Sequence, residues 1–303
     1  MAETGAGMFS LLRARRFAPL FRTQFLGAFN DNVFKSALGI FITFSVTESI
    51  QSHSAELVTL AAGLFVIPFF LFSASAGQLA DKLEKSALIQ RVKLAEIAIM
   101  GLAVVGFWWG DVWALLGILF LMGAQSSLFG PLKYSILPQH LPFQELSSGN
   151  GLVQMGTFLA ILLGTMLGGF AISIEGIGVN IVCVTVIGLA ILGWLASREI
   201  PVAKAANPQL RFQWNIFSQT CRIIGFARED GLVFGCVLAI SWFWFVGATF
   251  LQLIPTFARD VLAGGPQVVT VMLTAFSIGI GIGSVMCGGF SRGKIELRLV
   301  PVG

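Results

Sequence analysis

Charge is what this chain has least of. Asp, Glu, Lys and Arg make up 11% of its 303 residues, against 56% that are hydrophobic, and the mean hydropathy is +0.85. A soluble core of this length has no use for so much apolar surface, so a water-soluble globular domain is excluded. Tyrosine is reduced to one residue beside 28 Phe. The four cysteines, Cys183, Cys221, Cys236 and Cys287, fall in or beside apolar stretches with no CxxC pair, which speaks for packing and against a disulfide framework or a metal site. Histidine is represented only by His53 and His140. His140 and Glu145 stand in an H-x4-E spacing bounded by Pro138 and Pro142, but no positioned nucleophile or second acid accompanies them. No catalytic residue, cofactor or metal is therefore expected.

Apolar stretches near the roughly 20-residue length that crosses a bilayer recur at 20–46, 56–80, 92–110, 112–132, 150–174, 176–197, 231–255 and 267–290. They predict an all-α polytopic membrane protein with eight spans. Arg13, Arg15 and Arg16 precede the first span without a small-residue cleavage site, so no removed signal peptide is expected. Further Lys and Arg gather between the second and third spans (Lys82, Lys85, Arg91, Lys93), after the sixth (Arg198, Lys204, Arg211, Arg222, Arg228) and after the eighth (Arg292, Lys294, Arg298). The opposite side carries Arg259 alone, beside His53, Glu56, Asp111 and Glu175. Basic residues collect on the cytoplasmic side of membrane proteins, so the N-terminus and the long polar segment are predicted to be cytoplasmic. The net charge of +4 is then a topology signal and not a nucleic-acid footprint. The polar segment divides the chain into a six-helix half (1–197), a cytoplasmic central loop (198–230) and the beginning of a second half (231–303).

The first span is interrupted by Asn30-Asp31-Asn32 and Lys35. A carboxylate in hydrocarbon costs about 2.5–3.5 kcal/mol on insertion scales, so it normally faces a partner or a water-filled cavity. Lys35, one turn later, can neutralise Asp31 as an i, i+4 pair, which lowers the cost without explaining why a charge is there. Asp31 is read as the acid at midplane, and a transport pathway follows. Small-residue strips appear at Gly164-x-x-x-Gly168 and Gly279-x-Gly281-x-Gly283. On these another helix can approach closely, either as a surface that slides between halves or as packing within one half. The second span ends in Gly77-x-x-x-Asp81-Lys82 with Lys85 beyond, and Gly288-Gly289-Phe290-Ser291-Arg292 repeats the element at an offset of 211 residues. A repeat in corresponding positions of two halves is the mark of a two-half transporter.

The Gly77 element, the six-helix half and the long central loop together resemble the major facilitator superfamily. The resemblance implies that Gly77 lets the backbone turn at the end of the second span, while Asp81, Lys82 and Lys85 form a cytoplasmic latch. Glu84 stands where a second Gly is usual, and Arg292 replaces the Asp in the second copy. Gln24 to Asn32, Val92-Lys93-Leu94, Gly130-Pro131-x-Lys133-Tyr134-Ser135, and Gly149-Asn150-Gly151-Leu152 running to Gly164 are similar to bacterial lysophospholipid transporters. The likeness is greatest to the branch fused to acyl-ACP synthetase and lysophospholipid acyltransferase domains. What this implies is a facilitator fold of about twelve spans, of which this chain carries the six-helix half and the first two helices of the second. It further implies movement of a lysophosphatidylethanolamine-like lipid from the outer to the inner leaflet of the cytoplasmic membrane, for re-acylation by a fused or associated enzyme. Asp31, Asn30, Asn32, Lys35 and Gln154 are the candidate substrate-binding residues. Stand-alone relatives tend to carry Glu in place of Gln154, and an Arg in the seventh span where this chain is apolar near Phe250 and Leu251. Two rivals stay open: a small-molecule or drug exporter on the same fold, and a membrane anchor for an acyltransferase. Asn30-Asp31-Asn32 favours transport over anchoring, since an anchor gains nothing from a midplane charge.

Overall fold

In hydrocarbon a backbone has no water to bond, so each apolar run closes its hydrogen bonds on itself as a helix. The computed structural model describes residues 8–43, 53–213 and 215–263, with scattered positions between 268 and 286. After a 3-10 turn at Met8–Arg13 come α1 (Ala18–Thr43), α2 (Ser54–Lys82), α3 (Lys85–Trp109), α4 (Val112–Ser135), the short α5 (Leu137–His140), α6 (Phe143–Ile172), α7 (Gly178–Arg198), α8 (Ile216–Glu229) and α9 (Gly231–Asp260). Two compact units divide the chain, one running to Phe212 and the other Gln213–Ile282.

Five helical segments are long and apolar enough to cross a membrane: Glu56–Lys82, Lys85–Trp109, Val112–His140, Phe143–Ile172 and Gly178–Arg198. The first predicted span forms as the 26-residue α1, but its polar centre keeps it out of that set. The seventh forms as the 30-residue α9. The eighth falls largely outside the described residues, as do the second loop copy and Cys287.

Local chemistry sets the boundaries. Gly110, at φ 66°, ends α3 in the left-handed conformation that Gly adopts without penalty. Asp111 then caps α4 by accepting from the N–H groups of Trp113 and Ala114. Two predicted starts are corrected. The third span begins at Lys85, well before 92, because Glu84 caps it; the fifth begins at Phe143, well before 150, directly after Pro142.

Within the first unit, two apolar clusters are stacked along the helices. One holds Val33, Phe34, Met100, Leu119, Met122 and Val186. The other holds Leu20, Val92, Phe129, Leu132, Leu137 and Val153. The boundary between them cuts α1 at Asn30–Asn32, α3 at Lys93–Glu96 and α4 at Gln125–Ser127, near the middle of each helix. One side of the unit is tied by ion pairs from Arg16 to Glu145 at 2.8 Å and from Arg22 to Glu199 at 3.2 Å. Glu145, the acid of the H-x4-E spacing, is thus committed to Arg16.

The glycines of α6 decide how closely α1 can approach. A Cβ on Gly164 would stand 2.5 Å from the carbonyl oxygen of Phe29, and one on Gly168 would stand 2.3 Å from that of Val33. The close approach these two glycines permit is therefore to α1, inside one half. Positions 279 and 283 have nothing within 4 Å of a Cβ. Because backbone cannot move aside as a side-chain end can, Gly168→Ala is expected to destabilise the folded half by about 1–3 kcal/mol, the usual cost of overpacking. Gly188→Ala, where a Cβ meets nothing within 4 Å, should be neutral. Thermal unfolding of both variants in detergent checks the contrast.

Candidate functional site

Three consecutive residues of a helix point about 100° apart, and Asn30, Asp31 and Asn32 accordingly meet three different neighbours. Asn30, fully buried, donates its Nδ2 to Glu96 Oε1 of α3 at 3.0 Å. Asp31, half-buried, accepts from Ser126 Oγ of α4 at 2.7 Å. Asn32 donates to the Ala28 carbonyl of its own helix at 2.7 Å, and its Cβ is 3.0 Å from where a Gly164 Cβ would be. Lys35 does not form the i, i+4 ion pair with Asp31 that its spacing allows. Its ammonium stands 4.3 Å from the centre of the Phe65 ring instead.

The core of the layer is an ion pair within α3. Lys93 is not one of the charges between the second and third spans: it is 1% exposed inside α3, and its Nζ is 2.6 Å from Glu96 Oε2. Glu96 also accepts from Gln125 Nε2 at 3.2 Å, and Gln125 lies next to Ser126, the partner of Asp31. A connected chain therefore runs Lys93, Glu96, Gln125, Ser126, Asp31, with Asn30 branching from Glu96. Glu96 is a second acid in the layer where Asp31 alone was expected. Space for the ammonium comes from missing side chains, since a Cβ on Gly27 would be 2.2 Å from Lys93 Nζ. The signal in the sequence was Lys93-x-x-Glu96, an i, i+3 opposite-charge pair embedded in an apolar run, together with Gln125-Ser126-Ser127 at the middle of the fourth span.

Gln154 lies outside this chain. It accepts a hydrogen bond from the Tyr134 hydroxyl at 2.9 Å. Lys133, half-buried and two turns beyond Ser126 on the same face of α4, is near enough to Asp31 for their charges to interact.

The latch residues are arranged differently from the expectation. Gly77 is helical within α2 with open space around it, so it makes no turn. The chain turns at Leu83 and Glu84, both extended. The Glu84 carboxylate accepts from the N–H groups of Ser86, at 2.9 Å, Ala87, at 2.8 Å, and Ala203, at 2.9 Å, and from the Ser86 hydroxyl. Lys85 N–H returns a bond to the Ala203 carbonyl at 2.9 Å, and the buried Lys85 ammonium donates to the Lys204 carbonyl at 3.3 Å. Asp81 contributes its backbone carbonyl, which accepts from Asn207 N–H at 2.8 Å. Its carboxylate and the Lys82 ammonium form no ion pair among the described residues. The start of the central loop is thus strapped to the α2–α3 turn.

A sheaf of long apolar helices around a hydrogen-bonded polar layer defines a multi-pass membrane protein. A family model described as Major Facilitator Superfamily matches residues 20–302, and the chain belongs to that superfamily. It is similar to the lysophospholipid transporter LplT of Serratia proteamaculans (strain 568), 26% identical over 301 residues, which are 97% of this chain and 71% of the relative. The LplT proteins of Klebsiella pneumoniae (strain 342) and Escherichia coli O1:K1 / APEC are each 26% identical, covering 91% and 92% of this chain and 66% and 67% of their own lengths. The chain spans about two thirds of the relatives it matches.

Two outcomes follow from this geometry. Removing one partner of a buried ion pair strands the other charge, at about 3–5 kcal/mol. Glu96→Ala should therefore lower the unfolding temperature and folded yield sharply, while Lys93→Met combined with Glu96→Leu should recover most of both. For Glu84, burial alone would raise its pKa, but the four hydrogen bonds outweigh it and hold the carboxyl below its ordinary 4.5. A depressed carboxyl contributes its stability above the ordinary value and loses it as pH falls through the lower folded value. Hydrogen exchange at Ala87 and Ala203 should therefore stay slow at pH 5 and quicken only in more acid solution, whereas Glu84→Ala should quicken it at every pH.

Proposed function

We propose that the full-length protein carries a lysophospholipid with a lysophosphatidylethanolamine-like headgroup across a bacterial cytoplasmic membrane. Movement runs from the outer to the inner leaflet, with the N-terminus cytoplasmic, and delivers the lipid to a fused or associated acyltransferase/acyl-ACP synthetase. The names of the similar proteins support the substrate class. The observation that carries the reading is the half-open front of the polar layer. Asp31 spends one hydrogen bond on Ser126, and Lys35, one turn away, has no ion partner among the described residues. An ionised carboxylate has about four acceptor positions. An unpaired carboxylate and an unpaired ammonium on one helix face match the ammonium and phosphate of a zwitterionic headgroup.

In this reading Asp31 receives the ammonium, and Lys35 faces the phosphate. Asn30 and Asn32 fix the α1 backbone against α3 and α6, and Gln154 with Tyr134 lines the route. Asp81, Lys82 and Lys85, at the α2–α3 turn, act as the cytoplasmic latch in this reading. The membrane lipid itself is the second partner, since a single acyl chain can travel along apolar helix faces while its headgroup crosses the protein.

The test is uptake of labelled lysophosphatidylethanolamine by spheroplasts lacking their own transporter, with expression matched between variants. A hydrogen bond to a charged group contributes about 1.5–3 kcal/mol, so Asp31→Asn should fold normally and reduce uptake about tenfold or more. Mutant uptake equal to wild type would make Asp31 a structural residue. No lysolipid uptake by wild type would move the assignment to the exporter.

A further inference from the structure

A lysine four residues after an aspartate on a helix can fold back onto it as an ion pair, and the attraction grows as water is removed. Asp31 and Lys35 have that spacing, and both are half-buried. They part nonetheless. The Asp31 carboxylate turns to Ser126 Oγ of α4 at 2.7 Å, and the Lys35 ammonium stands 4.3 Å from the centre of the Phe65 ring of α2. The two charges are thus held by two neighbouring helices, each through a partner that carries no net charge.

That neutrality has a chemical consequence. The negative face of an aromatic ring attracts an ammonium through its quadrupole, so Lys35 is held in place with its full charge, whereas a carboxylate there would cancel it. The ring is itself fixed. Phe69, one turn on, has its ring centre 5.6 Å from that of Phe65, and Phe65 packs against the cluster that holds Val33, Phe34, Leu119 and Met122. Its backbone is pressed onto α4, because a Cβ on Gly123 would run into the Phe65 carbonyl. Gly123 and Ser126 are three residues apart and share a face of α4. Helices α1 and α4 run in opposite directions, since Val33 and Phe34 share one cluster with Leu119 and Met122, and Leu20 shares the other with Phe129 and Leu132. One turn forward along α1, from Asp31 to Lys35, is therefore matched by one turn back along α4, from Ser126 to the seat of Phe65.

We propose that Phe65 is a positioning residue that keeps the Lys35 ammonium off the Asp31 carboxylate, so that both charges stay available to a zwitterionic headgroup. The role in headgroup binding rests on the substrate reading above; the separation of the charges does not. Without the ring, the flexible four-carbon stem of Lys35 lets the ammonium close on Asp31. A headgroup then has to break an ion pair before it can bind, and its affinity falls. Phe65 itself touches neither end of the headgroup and acts through Lys35.

The test has two arms, both on the full-length protein. In spheroplasts lacking their own transporter, Phe65→Leu should raise KM for lysophosphatidylethanolamine by roughly 2- to 30-fold and leave the maximal rate near wild type, the pattern of binding lost equally throughout the crossing. Phenylalanine carrying one, two or three ring fluorines at position 65 adds little bulk but drains the ring face of electron density, so KM should climb with each fluorine. A KM that stays flat across that series would reduce Phe65 to packing and overturn the proposal. The second arm needs no substrate. In nanodiscs with isotope-labelled lysine, the Lys35 ε-methylene resonance, identified by its loss in Lys35→Met, should be moved upfield by the ring beneath it and should return to the ordinary position in Phe65→Leu. An unshifted resonance in the wild type would place the ammonium away from the ring and overturn the proposal as well. A shifted resonance in a wild type that takes up no lysolipid would sink the substrate reading alone and leave the charge separation standing.

Discussion

The buried pair of Lys93 and Glu96 sets the terms on which the first half can pack. Taking two ions out of water costs several kcal/mol each, and attraction at 2.6 Å offsets that only when the remaining donors and acceptors are filled. Here Asn30 and Gln125 fill the Glu96 acceptors from two other helices, and the Phe129 ring lies 5.2 Å from the ammonium. Gly27 and Gly193 give the lysine its room from α1 and α7. Four helices therefore have to keep one level. A shift of α1 along α3 by a single turn would carry Asn30 away from Glu96 and set an apolar residue in its place. This constraint ties α1, α3, α4 and α7 to one register within the first unit.

Rigidity at the back of the layer leaves freedom at its front. Glu96 has both oxygens committed and is almost fully buried, whereas Asp31 has one bond and a half-open position. Two carboxylates in one layer are thereby given different work. The closed one holds helices together, and the open one makes a single hydrogen bond among the described residues. Ser126 lies between them, its hydroxyl 2.7 Å from Asp31 Oδ2 and 3.1 Å from Gln125 Oε1, while Gln125 donates its Nε2 to Glu96.

The first seven spans and their order were legible because long apolar runs between Gly110, Pro142 and the polar central segment leave little else to form. The Asn30-Asp31-Asn32 cluster was legible for the same reason, as an interruption in hydrocarbon. Its partners were not. Lys85 and Lys93 read as loop charges because local pattern treats a lysine near a span end as solvated; their actual partners, the Lys204 carbonyl and a layer built by three helices, are distant in sequence or defined only by packing. Glu96 was overlooked because its meaning depends on Asn30 and Gln125. Gly164 and Gly168 announced a close approach by spacing, but nothing in that spacing says that the helix arriving is α1.

The substitution of Glu84 for the usual second glycine has a consequence for how the halves are joined. A glycine there would supply a flexible turn and no side chain, so the start of α3 and the backbone of Ala203 would each lack an acceptor. Glu84 satisfies both with one carboxylate, and Asn207 adds a bond to Asp81 four residues on from Ala203. The first part of the central segment is therefore packed as part of the first unit, held at Ala203, Lys204 and Asn207 by hydrogen bonds to the α2–α3 turn.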